Sequence, residues 1–340
     1  MNHLMNSYFK VNRASPVYFL VVLLALTACI KDKISNECKD LNTSELVISG
    51  PNGPYYKFIG EQLKTPSFNP NNDNEIMFVR ENTGTSDKQI WLYNLIDKSK
   101  DLIFEGEVLG RPRWGKNDYI IFYRMGGHIW KIRSDGQNLT YLNNPMPVYD
   151  PQWNSEGTKF ATNAPPSSIY QGKSALVIFN ETGSVLDTIP LPIAENYVGN
   201  FNAPSSFKRE EILVLRRPTE ITFFDTKNEV MLATYHTQLG FDNQTSAGGN
   251  IFWLDSTNLI YGNRDGIHQI TYPSLQNTHL IKSCTNKVYF FGDINMSKTK
   301  MVWAVRQQEI NSEKTHVLVQ WYLVIMDLDG SNEQRLEISF

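Results

Sequence analysis

The sequence predicts an all-β protein: a six-bladed β-propeller of four-stranded antiparallel blades, preceded by a lipoprotein signal peptide. Three observations carry that expectation. An aromatic or apolar anchor, then a polar turn and an apolar strand, recurs at Phe68, Trp114, Trp153, Phe201, Trp253 and Ile294, at intervals of 46, 39, 48, 52 and 41 residues. A period of about 40 to 50 residues marks a propeller or solenoid repeat. Behind each anchor runs a strand rich in Ile, Val, Phe, Trp or Tyr, often ending in turn residues such as Asp135-Gly136, Thr182-Gly183, Lys227-Asn228 or Asp329-Gly330; such turns need residues that accept positive φ, so they read as hairpins. No apolar stripe of period 3.6 reaches helical length, so helix content is expected to be very low.

Residues 1–28 carry Lys10 and Arg13, no acidic side chain, and the apolar run Val17–Leu26. Ten residues are too few to span a bilayer, which takes about 20, but they suit the core of an export signal. The junction Leu26-Thr27-Ala28-Cys29 resembles the lipobox of bacterial lipoproteins, which implies that Cys29 is lipidated and begins the mature chain. Removing Lys10 and Arg13 with the signal takes the formal charge from −3 to −5. Residues 29–44 are polar and aperiodic and read as a tether, with the propeller over 45–340. An oxidising compartment permits a disulfide between Cys38 and Cys284; the alternative is two unpaired thiols.

The blades follow in order. Pro66-Ser67-Phe68 leads to Ile76–Val79, Pro112-Arg113-Trp114 to Tyr119–Phe122, and Pro151-Gln152-Trp153 to Lys159–Ala161. Phe201 leads to Ile212–Leu215, Trp253 to Leu259–Tyr261, and Ile294 to Lys300–Ala304. Sheets without covering helices must bury both faces against one another, and radial closure does this while leaving few edges. The segments Arg111–Phe122 and Asp150–Phe160, together with Met326–Leu336, resemble the TolB-like or WD40-like (PD40) propeller family of bacterial envelopes. The fourth and fifth repeats lack its Pro-x-Trp and rest on spacing alone. The resemblance implies a blade, not an activity. Leu46–Pro51 is expected to supply a strand to the last blade and close the ring.

With 32 basic against 35 acidic residues there is no basic excess for phosphates, so nucleic acid is not an expected partner. There is no G-x-S-x-G elbow, no H-E-x-x-H and no paired-Cys zinc spacing, so no catalytic residue, cofactor or metal ligand is assigned. His128 and His268 fall at equivalent strand positions and read as strand residues. Asp327-Leu328-Asp329-Gly330 lacks the later residues of a calcium loop and reads as a turn. Four carboxylates stand near blade entries or turns, at Asp150, Asp255, Asp265 and Asp293. Of these Asp150 and Asp293 directly precede anchor strands and are the channel candidates; a turn or rim role is the alternative. The tryptophans read as core, and Tyr55, Tyr56 and Tyr170 as surface aromatics. The expectation is a non-catalytic scaffold, lipid-anchored at the outer membrane, that binds a protein partner in the cell envelope. The alternative is a glycan- or peptide-binding or hydrolytic propeller using channel carboxylates.

Overall fold

The computed structural model describes residues 38–39, 41–47, 53–81, 87–154, 156–165, 174–191, 212–217, 220–225, 227–237, 251–263 and 265–340. The expected signal peptide, Cys29, Tyr170 and the Phe201 anchor lie outside them. The described chain is all β apart from one 3-10 turn at Thr43–Glu45, and none of its helices is long and apolar enough to cross a membrane.

The strands follow the repeat. The first group is β1 (Tyr56–Asn69), β2 (Asn72–Glu81), β3 (Lys88–Asn94) and β4 (Lys100–Gly106). Then come β5 (Leu109–Trp114), β6 (Tyr119–Arg124), β7 (His128–Arg133) and β8 (Thr140–Tyr141), followed by β9 (Tyr149–Trp153), β10 (Lys159–Ala164), β11 (Ala175–Asn180) and β12 (Val185–Pro190). The next group shows β13 (Ile212–Arg217), β14 (Glu220–Asp225) and β15 (Val230–His236); its inner-strand anchor falls outside the described residues. The chain continues through β16 (Ile251–Trp253), β17 (Asn258–Asn263), β18 (Gly266–Thr271) and β19 (Gln276–Lys282). It ends with β20 (Lys287–Ile294), β21 (Lys300–Ile310), β22 (Val317–Asp327) and β23 (Gln334–Arg335). Within each group successive strands pair antiparallel.

The polar turn behind the anchor has a local cause. Asn154 and Asn295 each follow an anchor directly and fold a side chain back on the turn. Asn154 Oδ1 accepts from the amides of Thr158 and Lys159 at 2.9 and 3.1 Å, and Asn295 Oδ1 from those of Thr299 and Lys300 at 2.8 Å each.

Alternation along the second strand of each group explains the radial arrangement. Ile76 and Phe78 of β2 pack into a core shared with β20–β22, whereas Met77 between them packs toward β5–β7. On β6, Ile120 and Phe122 face the first group and Ile121 the third. On β21, Val302 and Ala304 face the first group, and Met301, Trp303 and Val305 face β16–β18. Successive side chains of a strand point to opposite faces, so a strand apolar at every position must lie between two cores. Further cores join the third group to the fourth and the fourth to the fifth. The core holding Phe68 and Phe78 with Phe290 and Trp321 joins the last group to the first. This is a β-propeller.

Closure uses a strand the sequence did not single out. Among the described residues the strand that reaches the last group is the first half of β1; of the expected Leu46–Pro51, residues 48–51 lie outside them. Tyr56, Lys57, Phe58 and Gln62 pair in parallel with Val317, Leu318, Val319 and Trp321 of β22; from Gln62 onward β1 pairs antiparallel with β2. One continuous strand thus belongs to both groups, and β23 takes the rest of the β22 edge. Leu46 packs against the core beneath instead. Cys38, Lys39 and Leu41 of the expected tether dock on the propeller. Cys38 is joined to Cys284 with Cα atoms 5.7 Å apart, Lys39 N donates to Asn286 Oδ1 at 2.8 Å, and Leu41 packs on the closing core. The apolar Leu41 and the bridge supply what the polar composition around them lacked. A cross-link closing so long a loop typically stabilises a fold by about 2–4 kcal/mol.

Candidate functional site

The described aromatic anchors of the repeat are buried. Ser67, Arg113, Gln152, Phe252 and Asp293 precede Phe68, Trp114, Trp153, Trp253 and Ile294, and all five line one cavity of about 350 Å³ at the end of the inner strands. Lys116, Met296 and Lys298 stand exposed at its mouth. Two residues earlier on the same strands stand Arg111 on β5, Asp150 on β9 and Phe291 on β20, a second tier that does not line the cavity.

The tiers are charged and matched. Asp293 is held by three donors: Ser67 Oγ at 2.7 Å and Phe68 N at 2.9 Å to one oxygen, and Ile294 N at 2.9 Å to the other. Burial raises its pKa, opposed by these hydrogen bonds and by Arg113. Burial raises Asp150 to about 6, against the pull of Arg111 and Arg113. Arg111 is pushed down to about 9 by burial and then by the neighbouring Arg113 charge, and its guanidinium lies over the Phe291 ring at 4.7 Å. Burial also lowers Arg113, opposed by Asp293 and Asp150. Arg113, Asp150 and Asp293 remain half-buried although they lie among the inner strands, so water reaches them along the channel. Beside Asp150 the chain needs glycine: a Cβ at Gly110, whose φ is +64°, would stand 2.3 Å from the Tyr123 ring and 2.9 Å from Asp150 Oδ1.

Of the two carboxylate candidates, Asp293 lines the cavity, and Asp150 lies beside Arg111 and Arg113 without lining it. Asp255 caps its own turn instead: against burial, which raises it, hydrogen bonds from Asn258 and Thr257 hold it at about 2. Asp327 closes the last hairpin by pairing with Lys300 and accepting from Asn332 at 2.6 Å, the turn role read from sequence. His128 is exposed on β7 and meets Tyr141, whose hydroxyl is 3.2 Å from Nδ1. Burial holds His268 below the ordinary imidazole range, opposed by Asp265. Tyr55 and Tyr56 are exposed. Arg111 and Arg113 were missed as site residues because Arg-Pro-Arg-Trp was read as a blade anchor; their signal is their register, three positions and one position before the tryptophan.

No protein-family model and no curated protein matches the chain. Among solved structures it is similar to the β-propeller domain of the trilobed protease from Pyrococcus furiosus, at 11% identity, TM-score 0.47, covering 81% of this chain and 83% of that one. It is also similar to the C-terminal WD40 domain of Sif2, at 12% identity and TM-score 0.44, over 83% and 97%. A third is TolB from Acinetobacter baumannii, at 13% identity and TM-score 0.45, over 77% of this chain and 57% of that one. All three are propellers, and the likeness is one of fold.

Proposed function

We propose that this chain is a lipid-anchored protein of the bacterial outer membrane, a six-bladed propeller that works by binding, taking an anionic segment of a protein partner at the channel mouth. The observation that carries this is the unequal charge of the two levels. Inside, Arg111 and Arg113 are matched by Asp150 and Asp293, whereas at the rim of the cavity Lys116 and Lys298 add two exposed cations. A concave, solvated site with a cationic rim and aromatic walls from Trp114, Phe252 and Trp253 suits an acidic peptide segment. A hydrolytic reading needs two carboxylates free to act on a substrate. Asp293 is committed to three donors, which leaves Asp150 alone.

A photocrosslinker at Met296 of the membrane-anchored protein should capture an envelope protein through an acidic stretch, and Lys116→Glu with Lys298→Glu should reduce capture about tenfold, two lost charge contacts of roughly 0.7 kcal/mol each. Capture should strengthen as pH falls from 7 to 5, because protonating Asp150 near 6 removes a negative charge from the channel. Undiminished capture by the double variant would reject the mouth as the site. For the anchor, Cys29→Ala should release the protein into the soluble fraction, since a lipid is the only attachment proposed; membrane retention of that variant would contradict it.

A further inference from the structure

At the end of β17 opposite the channel mouth, three side chains that no part of the proposed function uses converge. Asp265 sits in the β17–β18 turn, His268 on β18 and His279 on β19. His268 and His279 are cross-strand partners, so their side chains share a face, and their rings stack with centroids 4.2 Å apart and planes 13° apart. Asp265 Oδ1 lies 2.9 Å from His268 Nε2, and one ligand atom from each of the three falls within 4.8 Å of the others. His268 is buried, Asp265 half-buried and His279 exposed, so the cluster opens to solvent on one side.

We propose that Asp265, His268 and His279 form a binding site for one divalent transition-metal ion of the zinc class. Two imidazoles with one carboxylate favour Zn²⁺ and its first-row neighbours over the oxygen-seeking Ca²⁺ and Mg²⁺. Ligand atoms around tetrahedral zinc stand roughly 3.4 Å apart, given bonds of about 2.0–2.1 Å. Binding would draw the ligand atoms, now within 4.8 Å of one another, closer together, with the exposed His279 turning away from the Asp265 carbonyl that its Nε2 now meets at 3.1 Å.

Two surrounding features fit the assignment. The other nitrogen of His268, Nδ1, lies 3.3 Å from the Asn277 side-chain amide, which in turn meets the Tyr261 hydroxyl at 3.4 Å. In this arrangement the Asn277 nitrogen donates to Nδ1, and Nε2 meets Asn263 Oδ1 as well as Asp265; a metal at Nε2 would shift the proton to Nδ1, where Asn277 with its amide turned over would accept it. Gly266 keeps the space beside His279 open: at φ +146°, a Cβ there would stand 2.6 Å from His279 Nε2 and 1.8 Å from the Ile281 carbonyl oxygen.

The test uses the untagged full-length chain in detergent, stripped with chelator and titrated calorimetrically with ZnCl₂, with CaCl₂ as contrast. One Zn²⁺ per chain is expected, with a higher Tm in zinc and none of this in calcium. His279→Ala, a change at an exposed position, should weaken zinc at least about tenfold, and Asn277→Ala about tenfold through the lost orientation. His236→Ala, remote on β15, should change nothing. Absence of saturable zinc binding, or wild-type affinity in His279→Ala with its strand content intact by circular dichroism, would overturn the site.

Discussion

A chain shortened to begin at Leu63 should lose its cooperative unfolding transition and aggregate. The deletion removes Tyr56–Gln62, which covers the edge of the first half of β22 that β21 does not, and uncovers the core where Phe68 and Phe78 meet Phe290 and Trp321. An exposed β22 edge beside an opened apolar core recruits other chains. A chain beginning at Gly53 separates the closing strand from the docked segment: it lacks the disulfide and residues 38–47 but keeps β1. With Cys284→Ser in both, the Gly53 chain should unfold cooperatively at a lower Tm, and the Leu63 chain should show no transition. Scanning calorimetry with light scattering decides. A monomeric, cooperatively melting Leu63 chain would mean that the repeats stand as an open array, in which losing one interface spares the rest.

Replacing Trp303 by alanine should cost about 3–5 kcal/mol, the range for emptying a buried tryptophan site that cannot collapse. Trp303 is fully buried on β21, in the core that joins the fifth group to the last, against Phe252, Tyr289 and Tyr322. The indole lies flat over two glycines: a Cβ at Gly292 would come 2.4 Å from the ring and one at Gly262 2.6 Å. Gly292→Val should therefore destabilise as well, by about 1–3 kcal/mol from overpacking. Urea midpoints measure both. A loss below about 1 kcal/mol for Trp303→Ala would show that the neighbouring strands fill the space.

The repeat made the fold legible, because an anchor, a turn and an alternating strand each have a local chemical signature. It made the channel half legible. Asp150 and Asp293 stood out as carboxylates before anchor strands, but Arg113, Gln152 and Ser67 occupy the same register and went unread, since proline and tryptophan beside them already explained the segment. Tyr56–Gln62 was passed over as a closing strand because its composition is mixed, whereas Leu46–Pro51 is apolar. The pairing that selects Tyr56–Gln62 is with Val317–Trp321, far along the chain, and no local pattern reports it. Asp265, His268 and His279 were invisible as a cluster for a related reason: only the register of β18 against β19 brings the two histidines opposite one another.

The disulfide also sets a direction. Cys284 precedes β20, whereas Asp293 and Lys298 at the channel mouth lie at and beyond the strand's far end. The eight residues of β20 carry the chain about 25 Å from one face of the ring to the other. If Cys29 is lipidated as proposed, and with Cys38 joined to Cys284, the stretch between them is nine residues, at most about 30 Å when taut. The ring would then ride close to the lipid on a short mooring, with its bridged face turned down and the lysine-rimmed mouth turned outward, toward whatever passes in the aqueous space.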